Sequence, residues 1–170
     1  MLKTILLVLL LLTSLNAYES EDKLKVVIIG KVAKYITYQN AKNSDYFIIT
    51  VLKNPFETLF DDVYSDKTIK SKPVKINYIN TIDELEFTHI LYIPEVSSKD
   101  LSRILHKTQH SNILTISDAR GFAQRGGVMQ LYFVSQKLKI KINTHSAKLQ
   151  EIKIQPTLLR IADVVKGKKW

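Results

Sequence analysis

The chain has 170 residues, 45% of them hydrophobic, and carries 25 Lys and Arg against 16 Asp and Glu, a formal net charge of +9. It contains no cysteine, which excludes disulfides, zinc–thiolate sites and cysteine nucleophiles. A basic balance is also the footprint of nucleic-acid binders, but here the lysines are dispersed and cluster only at Lys166, Lys168 and Lys169, so a solvated surface and a basic tail account for most of them.

Met1-Leu2-Lys3 is a short positive start, Ile5 to Leu12 is an unbroken apolar run, and Thr13 to Ala17 supplies small and polar residues. That order predicts a signal peptide over residues 1–17, followed by one domain over 18–170 that works in the periplasm. The apolar run falls short of the roughly 20 residues a membrane span needs. A buried first helix and an uncleaved anchor are the competing readings. Export also argues against a nucleic-acid partner and leaves lipid headgroups, envelope polymers and acidic protein faces as anionic partners.

Leu24, Ile28, Val32 and Ile36 recur every four residues and predict a helix over 21–38. Tyr46 to Leu52 reads as a strand, stopped by Asn54-Pro55, and a helix follows over Phe56 to Tyr64 with proline at its first turn. Lys72 to Ile79 alternates Val74, Ile76 and Tyr78, a strand signature. Thr88 to Ile93 is nearly all apolar, as in a strand buried on both faces. Ser97 and Asp100 resemble a capping box at the head of a helix through Leu101, Ile104 and Leu105.

A further apolar strand spans Asn112 to Ile116. Gly126-Gly127 turns the chain into Val128 to Val134, and Ser135-Gln136 links that strand to Leu138 to Asn143 as an antiparallel hairpin. Lys137, Lys139 and Lys141 on its second strand suit either a protected sheet edge or the steering of an acidic partner. Pro156 to Val165 is expected to close the chain as a helix. The order predicts an α/β fold: a single domain with a mixed, mostly parallel sheet, helices on both faces and a C-terminal antiparallel hairpin.

Catalytic signatures are missing from the chain. It has no G-x-G-x-x-G, no P-loop lysine motif and no G-x-S-x-G elbow. His106 and His110 are spaced to share a helix face, but no third ligand accompanies them, and zinc sites want one. Asp61-Asp62 and Asp83-Glu84 are sequence neighbours, which do not face one another on a helix. We therefore expect no catalytic residue, no metal and no cofactor. Ser117-Asp118 ends a strand at the place where open α/β sheets hold ligands. The same pair also suits a cap on the turn that follows.

The run from Ile113 to Asn143 and its continuation to Val165 carry a more specific pattern: a strand ending in Ser117-Asp118, then Phe122-Ala123, Gly126-Gly127, a hairpin ending in Ile142-Asn143, Ala147 and Leu158-Leu159. In that order and spacing the sequence resembles the YfiR family of exported bacterial regulators over about residues 24–165. Tyr38-Gln39 stands where the family often has Trp-Pro.

The resemblance implies a periplasmic repressor that binds the periplasmic portion of an inner-membrane diguanylate cyclase, or another membrane signalling protein. It implies control of cyclic di-GMP and biofilm formation, and a homodimer. The absence of cysteine removes the disulfides that some relatives carry.

A repressor of this kind needs an exposed apolar patch with a polar rim, and Ile152, Ile154, Leu158, Leu159 and Ile161 are the expected partner-binding residues; burial of all of them in the core is the other reading. The alternative function is a periplasmic small-ligand-binding domain associated with a transporter or sensor. Its small-molecule site would be formed by Ser117, Asp118, Phe122, Gly126, Gly127 and Asn143.

Overall fold

The computed structural model describes residues 21–39 and 43–165. The expected leader at 1–17 and the basic tail at 166–170 lie outside them. The chain opens with helix α1 over residues 21–32 and a 3-10 turn, Ala33–Tyr35, followed by strands β1 (Ile36–Tyr38) and β2 (Phe47–Leu52) and helix α2 (Leu59–Tyr64). Strands β3 (Thr68–Ile69), β4 (Lys72–Ile79) and β5 (Ile90–Tyr92) precede helix α3 (Ser98–Thr108) and strand β6 (Leu114–Ser117). The C-terminal part holds β7 (Met129–Val134), β8 (Lys137–Asn143), α4 (Thr144–Leu149), β9 (Ile152–Ile154), the single turn α5 (Pro156–Leu159) and β10 (Asp163–Val165).

These strands form an eight-stranded sheet in the order β10-β8-β7-β6-β5-β2-β4-β3 and a separate two-stranded sheet of β1 and β9. The centre is parallel from β4 through β2, β5 and β6 to β7, and β7 and β8 form the expected antiparallel hairpin. The central strands are buried on both faces, which is why they read as continuous apolar runs. Alternate residues sort into two cores. Ile49, Val51, Ile90, Tyr92, Leu114 and Ile116 pack with Val26 and Ile29 of α1 and Phe60 and Tyr64 of α2. Leu52, Leu91 and Ile93 face the other way and meet Leu101 and Ile104 of α3 with Phe122. Each such burial contributes about 1.5–3 kcal/mol.

Several elements differ from the sequence expectation, each for a tertiary reason. The first helix does not run to residue 38. Ile36–Tyr38 instead pair antiparallel with Ile152–Ile154, with Ile36 opposite Ile154 and Tyr38 opposite Ile152. The helix expected from Phe56 begins at Leu59, because the Asn54 side chain accepts from the Phe56 N–H (3.0 Å) and donates to the Glu57 carbonyl (2.7 Å), holding a turn there.

The closing helix is one turn long with Pro156 in its first turn. The β-branched Val164 and Val165 then leave it to pair, parallel, with Ile142 and Asn143. As a result β8 is not the sheet edge over its C-terminal half, and only its first residues keep the edge role assigned to the lysines. Sequence periodicity also passed over β3, α4 and β9.

Candidate functional site

β5 and β6 are parallel neighbours with Tyr92 opposite Ile116, so Tyr92 and the Ser117-Asp118 corner reach the same carboxyl end of the sheet. The Ser117 hydroxyl accepts from the Ala119 N–H (3.0 Å), which closes the turn after β6. Asp118 accepts from the Tyr92 phenol (2.7 Å) through one oxygen and pairs with Lys25 Nζ (2.8 Å) through the other. Lys25 is buried and also meets Asp22 at 2.8 Å. Burial pulls the Lys25 pKa down, but hydrogen bonds and charge from Asp118 and Asp22 outweigh it, so the ammonium is held above its ordinary range. The network clamps α1 to the carboxyl end of the sheet.

The remaining residues of the expected ligand crevice are built into the loop between β6 and β7. Phe122 is fully buried beneath Gly127, where a Cβ would sit 2.0 Å from its ring, so only glycine lets the backbone pass; Gly126 makes the turn at φ +106°. Asn143 is also fully buried. Its amide nitrogen donates to the Ala123 carbonyl (2.8 Å) and its oxygen accepts from the Ser146 N–H (3.0 Å), capping α4. The structure therefore brings Ser117, Asp118, Phe122, Gly126, Gly127 and Asn143 into one region, but the polar groups of Ser117, Asp118 and Asn143 are already engaged with protein atoms.

The residues expected to bind a partner divide. Ile152 and Leu158 are 4% and 1% exposed and belong to the core; Leu158 offers no surface, and Ile152 contributes only to the wall of the groove beside it. Ile154 and Leu159 are half-buried and line a common groove of about 460 Å³ beside Lys153 and Glu151. Ile161 is 73% exposed, and Val164, which the sequence reading did not single out, is 50% exposed on the outermost strand.

His110 turns its Nδ1 to Glu151 (3.4 Å), while His106 lines a different cavity between α3 and α4. Among the described residues no group of three or more His, Cys, Asp or Glu is placed to hold a metal ion. None of the described helices is long and apolar enough to cross a membrane.

Sequence reasoning missed Lys25 and Asp22, which sit in an ordinary polar stretch and acquire meaning only when Asp118 arrives from far along the chain. It also missed the setting of His89, which stacks on Phe47 with centroids 4.5 Å apart and meets Tyr38 and Phe87 edge-on. Burial first, then the nearby Lys72 charge, push its pKa down to about 4. Tyr38, at the position where the resemblance expects Trp-Pro, thus packs inward on His89 and Phe47.

Two solved structures share the fold. The ABC domain from Streptococcus pneumonia in complex with L-Trp superposes with a TM-score of 0.55 at 13% identity, covering 82% of this chain and 60% of that one. A conserved domain protein from Vibrio cholerae O1 biovar El Tor gives a TM-score of 0.55 at 11% identity, covering 85% of this chain and 60% of the other. The chain thus spans about three fifths of the length of each. No curated protein matches it in sequence. The YfiR/HmsC-like family model matches residues 22–163, nearly the whole described domain, and the chain belongs to that family.

Proposed function

We propose that this protein is exported to the periplasm, where it binds the periplasmic portion of an inner-membrane diguanylate cyclase and represses it, lowering cyclic di-GMP and biofilm formation. Membership of the YfiR/HmsC-like family, a regulatory and periplasmic family, is the observation that carries the reading. The docking surface in this proposal is the C-terminal stretch: Ile154 and Leu159 in the groove, with the exposed Ile161 and Val164 beyond it. Exposed apolar side chains with a charged rim are the composition of a protein interface core and its surround. Lys148, Lys153 and Arg160 outnumber Glu151 around the groove and favour an acidic partner face. The homodimer implied by the resemblance is part of the proposal, and sedimentation velocity reads it.

The test is a deletion strain in which cyclic di-GMP is quantified by mass spectrometry, together with recovery of the membrane partner on the tagged protein. A rise in cyclic di-GMP and co-purification of a membrane cyclase support the reading. An unchanged nucleotide level sinks it.

A further inference from the structure

A cavity of about 200 Å³ opens between α3 and α4, bounded by Leu105 and His106 on one side, Leu149 and Gln150 on the other, and Arg125 and Gly126 at the loop before β7. It is distinct from the groove of the proposed docking surface. No carboxylate lines it, and Arg125 is its fixed positive charge. Two of the lining side chains carry a buried polar atom with no hydrogen-bond partner: the Arg125 Nε donor and the Gln150 Oε1 acceptor. Gln150 is only 3% exposed. Buried polar groups in folded proteins are almost always paired, and an unmade bond is costly. A donor and an acceptor left unused around one cavity therefore point to an absent binding group.

The local bonds define what that group offers. Thr108 gives its hydroxyl hydrogen to the Leu105 carbonyl (3.2 Å), so its oxygen accepts from the Gln150 amide nitrogen (3.3 Å). This fixes the amide orientation and leaves the Gln150 carbonyl oxygen seeking a donor. Arg125 is held through Nη2 on the Arg120 carbonyl (3.0 Å), which leaves Nε seeking an acceptor, and a guanidinium pairs best with a carboxylate. Without a lining carboxylate, an ammonium would add a second cation beside Arg125, so the donor to Gln150 is a neutral hydroxyl. Leu105 and Leu149 supply an apolar wall. At about 30 Å³ per water the space holds roughly six or seven waters, enough for the body of a single-ring acid.

We infer that the α3–α4 cavity binds a small 2-hydroxycarboxylate with an apolar side chain, its carboxylate on Arg125 and its hydroxyl on Gln150. This inference does not rest on the cyclase reading. Calorimetric titration of the purified protein with mandelate, without any partner, tests it separately.

Mandelate is expected to bind, phenylacetate (no hydroxyl) about tenfold more weakly, and mandelamide (no charge) and phenylglycine (ammonium for hydroxyl) not measurably. Arg125→Gln, checked for folding by circular dichroism, should abolish mandelate binding, and Gln150→Leu should erase the preference for mandelate over phenylacetate. Absence of mandelate binding at millimolar concentration overturns the inference, as does equal binding of mandelate and mandelamide. Should Arg125→Gln fail to fold, the ligand series on the unaltered protein still decides.

Discussion

The phenol of Tyr64 is inserted into the first helix at Gly30. The Gly30 N–H donates to Tyr64 Oη at 2.8 Å, and the same hydroxyl donates to the Val26 carbonyl at 2.6 Å. In an uninterrupted α-helix those two backbone groups would bond each other. The approach requires glycine, because a Cβ at residue 30 would lie 2.2 Å from the phenol oxygen. Tyr64 closes α2, so the insertion locks the two helices covering one face of the sheet.

Gly30→Ala should therefore destabilise by about 3 kcal/mol through overpacking against a buried ring. Tyr64→Phe should cost about 1–3 kcal/mol through two backbone groups left to re-form a stretched bond. The two changes share one contact, so the double variant should lose less than the sum of the singles. Urea denaturation of the four proteins measures the coupling; strict additivity would contradict the insertion.

His89 predicts an acid-sensitive domain. Its Nδ1 accepts from the Ile48 N–H (3.0 Å), so the native ring is neutral at that nitrogen. The folded pKa of about 4 lies below the ordinary 6.5, so the stabilisation is complete above pH 6.5 and is lost as pH falls towards 4. Discounted for partial solvent contact, the loss is on the order of 2 kcal/mol. His89→Gln removes the titration. Subtracting its urea stability from that of the parent at each pH should give a curve that falls through this window, and a flat difference would refute the assignment.

Asn143 joins the end of β8, the β6–β7 loop and α4. Asn143→Ala leaves the Ala123 carbonyl and the Ser146 N–H without their side-chain partner in a buried setting, at a cost of about 2–4 kcal/mol. Thermal unfolding reads the loss, and limited proteolysis should show earlier cleavage within residues 119–127. Unchanged melting would mean that the loop is held by Phe122 and the glycines alone.

The C-terminal stretch predicts a separation of stability from binding. Ile161→Glu, on a side chain 73% exposed, should change stability by no more than about 0.5 kcal/mol yet reduce recovery of the membrane partner. Leu158→Ala, on one that is 1% exposed, should destabilise by about 2–5 kcal/mol. Undiminished partner recovery by Ile161→Glu would move the docking surface elsewhere.

Strands β2 and β4 and the β7–β8 hairpin were legible in the chain because their signals are local: apolar runs, alternation at period two, and turn residues between them. Ser97 was legible as the cap of α3 for the same reason, and its hydroxyl accepts from the Asp100 N–H. Strands β1, β9 and β10 were not: unlike the equally short β5, which sits inside a continuous apolar run, they carry no such run and exist only through ladders to partners remote in sequence.

The same limit divided the site residues. Local composition marked Ser117, Asp118, Gly126 and Gly127 as special, and the family pattern marked Asn143, but neither could show Asp118 bonded to Tyr92 and Lys25 or Asn143 bonded to Ala123 and Ser146. Apolar content alone could not separate buried Leu158 from exposed Ile161, which differ by three positions in one short stretch. Composition and periodicity determined the α/β class, the order of its principal elements and the absence of thiol chemistry. Which side chains are buried, paired or left with an unused hydrogen bond was decided by the tertiary structure, because burial depends on what the rest of the chain brings alongside.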